Sequence, residues 1–314
     1  MLRVYYKFLK MKKTIVTGGA GFIGSNLVDA LLDLGYEVTV IDNESSDAHD
    51  KFHWNPKADN HVLDICDYES IRPLFNEIDL VFHLAAEARI QPTLENPILA
   101  AQVNTVGTCT VLQCAKEAGV KRLIYSSTSA AYGLKNSLPN VEVMQNDCLN
   151  PYSVSKTGGE EFCKMYTDLF GLETVILRYF NVYGERQPLK GQYAPVIGIF
   201  LRQKGDGEPM TVIGDGTQRR DFTYVKDVVR ANVLAADIDN KQASGETFNI
   251  GTGKSYSILD IVKHLKGDYR FIKPRQGEIK ESLASISKAQ YILGWNPLTN
   301  LKEWMDTQQP YQYK

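Results

Sequence analysis

The stretch KTIVTGGAGFIG, residues 13–24, decides the fold of this chain. A short β-branched run ends at Thr17 and is followed at once by Gly18, Gly21 and Gly24, where a helical pattern begins. Glycines at this spacing let the chain turn tightly, let the backbone approach a pyrophosphate and let the helix pack on the strand. The helix N-terminus adds amide donors and the positive end of a dipole. The stretch therefore predicts a dinucleotide-binding turn at the carboxyl end of a strand in a parallel sheet.

The second predicted strand, residues 37–41, ends at Asp42. A carboxylate at about this spacing reaches the 2'-hydroxyl of a ribose, and it would repel the 2'-phosphate of NADP. No arginine follows immediately, so we expect NAD. The alternative is a glycine-rich turn followed by an unrelated solvated aspartate. The order of strand, helix and second strand around them would then be accidental.

Short apolar runs alternate with helical patterns from about residue 12 to 178, which is typical of an α/β fold with a doubly wound parallel (Rossmann) sheet. The predicted strands are residues 13–17, 37–41, 61–63, 80–84, 123–126 and 174–177. Glycine-rich turns and short elements follow, and they favour a smaller C-terminal mixed α/β substrate domain. We therefore expect a NAD-binding domain over 11–178, a substrate domain over 179–314 with possible exchange of chain between the two, and an N-terminal extension over 1–10 that adds nothing to the fold.

The composition excludes several classes of protein. A net charge of -2, with 23% charged and 43% hydrophobic residues, argues against binding to nucleic acid or to an anionic membrane. No apolar run approaches the roughly 20 residues of a membrane span, and no secretory signal is evident, so we expect a cytoplasmic protein. The five cysteines form no C-x-x-C and are expected to be reduced. His49 and His53 lack a third ligand, so no metal is predicted.

The pair Tyr152 and Lys156, in PYSVSK, is the candidate catalytic pair. Residues four apart at the start of a helix project from one face. The same pattern occurs at Tyr6 with Lys10 and at Tyr269 with Lys273. Only Tyr152 and Lys156 follow a predicted strand that ends in SST and begin a helix directly after a proline.

A tyrosine phenol titrates near pH 10, so it acts as a base at neutral pH only if its pKa is depressed. A shift of about three units corresponds to roughly 4 kcal/mol. We expect Lys156 and a nicotinamide cation to supply it, and we expect Thr128 to hydrogen-bond the substrate oxygen that Tyr152 deprotonates. The alternative is a surface pair on a helix.

Seven segments, in order along the chain, resemble one family. They are TGGAGFIGS (17–25), HLAA (83–86), SSTSAAYG (126–133), YSVSK (152–156), RYFNVYG (178–184), GDGTQRRDFTYV (214–225) and PRQGE (274–278). The chain is similar to the extended short-chain dehydrogenase/reductases that act on nucleotide sugars, in particular the UDP-hexose 4-epimerases. The resemblance implies a tightly held NAD, a Tyr152 that takes the O4 proton while hydride leaves C4, and a 4-keto sugar that turns over and is reduced on its other face.

The resemblance also implies which residues make contacts. The expected NAD contacts are Gly18, Gly21, Phe22, Ile23, Gly24, Asp42, Asn43, Asp64, Ile65, Leu84, Ala85, Ala86, Asn104, Ser126, Tyr152 and Lys156. The expected contacts with a UDP-sugar are Glu87, Ser129, Asn181, Arg220, Arg275, Glu278 and Ser282. Glu87 and Arg89 either contact the sugar or pair with each other. The family further implies a homodimer formed through a four-helix bundle.

Related 4,6-dehydratases and decarboxylases on the same scaffold carry a carboxylate after the catalytic threonine, where this chain has Ser129 and Ala130. Without such an acid/base group, epimerisation is favoured over elimination. Ser282 stands where some galactose epimerases carry a tyrosine, so UDP-GlcNAc and UDP-GalNAc are expected substrates beside UDP-Glc and UDP-Gal. UDP-glucuronate 4-epimerisation, a lyase activity and a non-catalytic NAD-binding regulator are the alternatives.

Overall fold

Seven parallel strands form the centre of the structure, a computed structural model that describes residues 12–46, 51–189, 194–274 and 279–308. In chain order the strands are β1 (Lys13–Thr17), β2 (Glu37–Asp42), β3 (Asp59–Val62), β4 (Leu80–His83), β5 (Arg122–Thr128), β6 (Glu173–Tyr179), β7 (Val182–Tyr183), β8 (Met210–Ile213), β9 (Arg219–Asp221), β10 (Thr223–Tyr224), β11 (Thr247–Ile250), β12 (Ser255–Ser257) and β13 (Tyr269–Ile272). The central sheet has the order β11-β6-β5-β4-β1-β2-β3. The doubly wound Rossmann sheet predicted from the sequence is confirmed.

Helices cover both faces of this sheet. They are α1 (Phe22–Asp33), α2 (Tyr68–Ile71), α3 (Ile90–Glu95), α4 (Pro97–Ala101), α5 (Thr108–Glu117), α6 (Pro151–Phe170), α7 (Val196–Gly205), α8 (Val225–Ala235), α9 (Ile258–Leu265), α10 (Ser287–Leu293) and α11 (Leu301–Thr307). One buried cluster includes Leu27 and Leu31 of α1 with Val228 of α8, and a second on the opposite face includes Val111 of α5 and Cys163 of α6. The continuously buried strands between them are what a doubly covered parallel sheet requires.

The six predicted strands of the sheet are present, with ends that differ by at most two residues. The seventh, β11, was not predicted. It pairs with β6 at the edge of the sheet and comes from the part of the chain assigned to the substrate domain. The central sheet thus extends beyond residue 178, and the domain limits stay a prediction.

A long helical run crosses one face of the sheet. The helix α4, a π-helical segment over Gln102–Gly107 and α5 join into Pro97–Glu117, which has the length and composition of a membrane span. The expectation that no apolar run has this length is therefore wrong. The run packs against α6, and Val111, Leu112 and Ala115 lie in the core cluster on that face. This packing accounts for the buried apolar residues of the run, whereas Ile98 and Val106 stay exposed.

The C-terminal elements form three two-stranded sheets, one of antiparallel β9 and β12, one of parallel β8 and β13 and one of parallel β7 and β10. The buried carboxylate of Asp221, at the end of β9, accepts hydrogen bonds from the backbone amides of Thr252, Gly253 and Ala284. These bonds join β9 to the loop after β11 and to the segment that carries Ser282. Substrate-side residues are thereby fixed to the central sheet.

Candidate active site

The glycine turn between β1 and α1 leaves no room for side chains. Gly18 has a φ of +68°, and a Cβ there would lie 2.6 Å from the backbone N of Ala85. A Cβ at Gly24 would lie 2.0 Å from the carbonyl oxygen of Gly18. The helix begins at Phe22 without a side-chain cap, so its first amides have no partner from a capping residue. This backbone cradle at a helix N-terminus fits the pyrophosphate of a dinucleotide.

Asp42 ends β2 beside this turn. Its carboxylate accepts hydrogen bonds from the amides of Ala20, at 3.1 Å, and Glu44, at 2.9 Å. Burial raises the pKa of Asp42, and the two amide hydrogen bonds oppose that shift. The carboxylate is thus fixed to the glycine turn, where it fits the ribose hydroxyl contact expected of NAD.

A cavity of about 600 Å³ extends from the glycine turn to the C-terminal elements. Of the residues predicted from the sequence, it is lined by Gly18, Gly21, Phe22, Ile23, Gly24, Asp42, Asn43, Ile65, Leu84, Ala85, Ala86, Ser126, Thr128, Ser129, Tyr152, Lys156, Asn181, Arg220 and Ser282. Asp64, Glu87 and Asn104 do not line it. Arg275 and Glu278 lie outside the described residues. One cavity therefore unites most of the predicted cofactor and substrate positions.

The side chain of Asn104 is turned to the protein rather than to this cavity. Its amide nitrogen donates to the carbonyl oxygen of Glu87 at 3.0 Å and to Ser155 Oγ at 2.9 Å, and its oxygen accepts from the Glu87 amide at 2.8 Å. Both donor hydrogens are used, so Asn104 holds the Glu87 loop against α6, and its expected contact with NAD stays a prediction. Asp64 is exposed and accepts hydrogen bonds from the amide of Cys66 and the side chain of Asn43.

Tyr152 and Lys156 lie in the first turns of α6. The N-cap Asn150 accepts a hydrogen bond from the Ser153 amide, forms a capping box with it and precedes Pro151 at the first helical position. These features fix where the helix begins. Both side chains consequently line the cavity beside Thr128 at the end of β5. Tyr269 instead lies in β13, and the Tyr6 match lies outside the described residues.

The electrostatics of Tyr152 differ from the expectation. Burial raises the pKa of its phenol, while hydrogen bonding with Thr128 and the charge of Arg89 lower it. Lys156 is 2% exposed, with Nζ 4.2 Å from the centroid of the Tyr125 ring, and burial lowers the pKa of this lysine to about 7. Arg89 therefore adds a positive charge that lowers the pKa of the phenol, a contribution not expected from the sequence.

A buried ion pair lies behind these residues. Arg178 of β6 donates to both carboxylate oxygens of Glu160 on α6, at 2.8 and 2.6 Å, and Ser127 Oγ donates to the same carboxylate at 2.5 Å. The pair ties α6 to the two strands beneath it, which holds the helix that carries Tyr152 in register with Thr128. Sequence reasoning did not identify it, since an arginine and a glutamate 18 residues apart carry no pairing signal.

On the substrate side, Asn181 has a φ of +28°, and its side chain donates to the carbonyl oxygen of Asp221 and to Ser282 Oγ. Ser282 is 1% exposed. The guanidinium of Arg220 donates to the carbonyl oxygen of Arg219 at 2.9 Å. These three predicted residues come together at the end of the cavity formed by the C-terminal elements.

Two parts of the cavity were not assigned from the sequence. Arg89 was left undecided, although its position two residues after Glu87 was noted. Apolar residues of the C-terminal part, among them Ile197 and Phe200 of α7 and Phe222, form a further wall. Nothing in the sequence distinguishes such residues from ordinary core. Among the described residues, which include His53 but not His49, no group of three or more His, Cys, Asp or Glu side chains is placed to hold a metal ion.

Comparison with known proteins was made on the sequence and on the structure. Residues 14–251 match the model of the NAD dependent epimerase/dehydratase family. A putative UDP-glucose 4-epimerase of Methanocaldococcus jannaschii is 40% identical over 92% of this chain and 94% of its own length. The crystal structure of a UDP-glucose 4-epimerase with UDP-glucose, from Thermotoga maritima, superposes with a TM-score of 0.87 at 36% identity, over 93% of this chain and 95% of that one. The UDP-glucuronic acid 4-epimerase of Bacillus cereus, in complex with UDP-glucuronic acid and NAD, gives a TM-score of 0.86 at 33% identity, over 95% and 98%.

Proposed function

Because this chain belongs to the NAD dependent epimerase/dehydratase family, we propose that it inverts the 4-hydroxyl of a UDP-hexose. The observation that carries the proposal is the position of Tyr152 and Thr128 in one cavity with the glycine turn and Asp42. A proton acceptor and a dinucleotide site that share a cavity are what oxidation and reduction at one sugar carbon require.

The glycine turn and Asp42 would hold NAD, through backbone amides on the pyrophosphate and the carboxylate on the adenosine ribose. Bound NAD supplies a reversible hydride acceptor. The protein then has to bind the sugar against it, exclude water and move one proton. The apolar wall formed by α7 and Phe222 limits access of water.

Tyr152 Oη would take the proton from the sugar O4 and later return it, with the Thr128 hydroxyl holding the same oxygen in place. Burial raises the pKa of the phenol, so the phenolate forms only with the help of nearby positive charge. Arg89 and Lys156 line the same cavity. A Lys156 pKa of about 7 would also allow this side chain to exchange a proton with Tyr152 near neutral pH.

Elimination is less well supported than epimerisation. Ser129 and Ala130 line the cavity next to Thr128, and neither offers a carboxylate to remove or deliver a proton at C5 or C6. This supports an epimerase over a 4,6-dehydratase or decarboxylase.

The C2 substituent is expected to lie near Ser282. This small, buried side chain lines the cavity and is held by Asn181. It supports UDP-GlcNAc and UDP-GalNAc as substrates beside UDP-Glc and UDP-Gal. Asn181 and Arg220 are proposed to bind the diphosphate together with Arg275 and Glu278, whose roles stay predictions from the sequence.

We also propose a homodimer. Ile98 and Val106 on the run 97–117, and Val154 and Leu169 on α6, are between 54% and 75% exposed although they are apolar. Two adjacent helices with such outer faces suit a four-helix bundle between two copies. Val106→Glu is expected to give monomers by light scattering, whereas Lys116→Glu, which changes an exposed charge on the same run, leaves the dimer intact. A wild-type monomer at micromolar concentration would contradict the proposal.

A cytoplasmic location is proposed as well, with a UDP-sugar rather than nucleic acid or a membrane as the partner. All five cysteines are described, and all are free thiols, which suits a reducing compartment.

The experiment that tests the activity uses purified protein and a panel of UDP-sugars without added NAD, with products resolved by NMR. We expect interconversion of the 4-epimers by the wild type and by Tyr269→Phe, the matched control, and none by Tyr152→Phe. Formation of a 4-keto-6-deoxy or decarboxylated sugar would replace the epimerase with a lyase. Full activity of Tyr152→Phe would remove the proposed mechanism.

A further inference from the structure

Arg89 is a cation within the cavity for which the described residues supply no anionic partner. It is the N-cap residue of α3, directly after the loop that follows β4, and it lines the cavity with Tyr152 and Thr128. Among residues 12–46, 51–189, 194–274 and 279–308, its guanidinium forms no ion pair and donates no hydrogen bond. Among these residues, the one group whose charge acts on it is the Tyr152 phenol, and this phenol is uncharged at neutral pH because burial raises its pKa.

A half-buried cation without an anionic partner is costly. Burial lowers the pKa of Arg89 to about 10, and only the charge of an ionised Tyr152 opposes the shift. An anionic group on a bound ligand would stabilise a guanidinium in this position. The planar group can form two parallel hydrogen bonds to a carboxylate. No carboxylate of the described residues pairs with Arg89, and this favours a negative charge on the substrate.

The position of the charge on the substrate follows from the neighbours of Arg89. Tyr152 is the residue proposed to hold the sugar O4, so Arg89 lies at the reacting end of the sugar. Arg220 comes from β9 at the other end of the cavity and is the arginine proposed for the diphosphate. C4 is bonded to C3, which carries a hydroxyl group, and to C5, which carries C6. A carboxylate on C6 is the anion that reaches a cation beside Tyr152.

The loop that carries Arg89 is held rigidly. Asn104 accepts a hydrogen bond from the Glu87 amide at 2.8 Å and donates one to the Glu87 carbonyl oxygen at 3.0 Å. The same side chain donates to Ser155 Oγ on α6, three residues from Tyr152. The loop that carries Arg89 and the helix that carries Tyr152 are thus both bonded to one buried amide, which holds the two segments at a fixed separation. With Arg89 and Tyr152 carried on these segments, the site can select substrates by where their negative charge lies relative to O4.

We propose that Arg89 binds the C6 carboxylate of a UDP-hexuronate, so that the enzyme prefers uronates over neutral hexoses with the same C2 substituent. This rests on the proposed epimerase function. The space for the C2 substituent near Ser282 is separate from the C6 carboxylate site at Arg89. UDP-N-acetylhexosaminuronates are therefore expected substrates too. A neutral hexose leaves the guanidinium desolvated and unpaired, and the discrimination against it is expected to be roughly 100-fold.

The test compares C4 epimerisation of UDP-glucuronate and UDP-glucose by NMR, as initial rates with the NAD-loaded enzyme. For the wild type we expect a kcat/KM ratio of about 100 in favour of the uronate. Arg89→Gln should bring the ratio to about 1, chiefly by raising KM for UDP-glucuronate, and Arg89→Lys should keep part of the preference. Arg72→Gln, which alters an exposed arginine outside the cavity, should leave the ratio unchanged.

Equal use of both sugars by the wild type would overturn the assignment while leaving the epimerase intact. The same holds if Arg89→Gln slows both sugars equally and moves the acid limb of both pH profiles upward, because Arg89 would then act only through its charge on Tyr152 and not on a substrate carboxylate. Turnover of neither sugar, nor of their N-acetylated counterparts, would overturn the proposed function itself.

Discussion

The two ends of the cavity are built in different ways. At the cofactor end the turn proposed for the pyrophosphate is backbone, and a methyl group on Gly24 would overlap the carbonyl oxygen of Gly18. At the sugar end the surface consists of side chains from separate elements, such as Thr128 on β5, Tyr152 on α6 and Arg89 before α3. A backbone site admits only glycine and so leaves a motif in the sequence. A side-chain site admits many residues, and its chemistry changes with each one.

The sharpest way to separate the two ends is Tyr152→Phe. Removing the phenolic oxygen abolishes proton transfer but keeps the ring, so kcat should fall about 1,000-fold. Copurified NAD, measured by absorbance after denaturation, should stay at the wild-type level. Loss of NAD together with activity would mean that the two ends are not independent.

Gly24→Ala tests the cofactor end of the cavity. Alanine is favoured over glycine in a helix by about 1 kcal/mol, but a Cβ 2.0 Å from a backbone oxygen forces α1 away from β1 and outweighs that gain. We expect copurified NAD to be lost and the free energy of unfolding to fall by about 1–3 kcal/mol in urea titrations. Gly267→Ala, whose Cβ would meet only flexible side-chain ends, is the control. Wild-type NAD content in Gly24→Ala would contradict the turn geometry.

Ser282→Tyr changes specificity at the sugar end. A phenol in place of this buried hydroxyl fills the space proposed for an N-acetyl group, so kcat/KM for UDP-GlcNAc should fall by roughly 10- to 100-fold relative to UDP-glucose. Ser282→Ala keeps the space and should keep the ratio. Unchanged N-acetyl turnover in the tyrosine variant would defeat the assignment of Ser282.

The smallest effect on catalysis is expected from His83, which is buried at the C-terminal end of β4. Its ring nitrogens bond Thr17 Oγ1 at 2.7 Å and Thr108 Oγ1 at 2.9 Å, and burial lowers the pKa of the imidazole to about 3. The unfolded chain takes up a proton below about pH 6.5 and the folded one does not, so this stability is full above pH 6.5 and is lost as pH falls toward 3. Between pH 7 and 5 the free energy of unfolding should drop by about 2 kcal/mol more in the wild type than in His83→Gln. Parallel pH profiles from urea titrations would show that His83 is not responsible.

The sheet and the glycine turn were predictable because their signals are local. The strand β11 was not, since TFNI is short and carries a polar residue at its centre. Asn249 is tolerated there because Tyr132 donates to its oxygen and its nitrogen donates to the carbonyl oxygen of Asn140. Both partners are more than 100 residues away, which no local pattern reveals.

The same limit applies to the candidate site. Asn104 was assigned to NAD by resemblance, yet its amide is saturated by Glu87 and Ser155. Predicting the role of Arg89 requires knowing whether a carboxylate lies near it in space. The spacing of residues along the chain does not determine this. The residues that line the cavity were predictable where they belong to a motif, and unpredictable where they depend on which distant side chains meet.

The edge strand β11 constrains how such an enzyme can be divided or recombined. A fragment ending near residue 180 would leave β6 as an open edge with unpaired amides and carbonyls, a surface prone to association with other chains. Grafting a different sugar-recognition module onto this half by a simple fusion would therefore disrupt the sheet itself. Diversification of substrate choice on this scaffold is accordingly expected to proceed through individual substitutions and loop replacements within an intact chain.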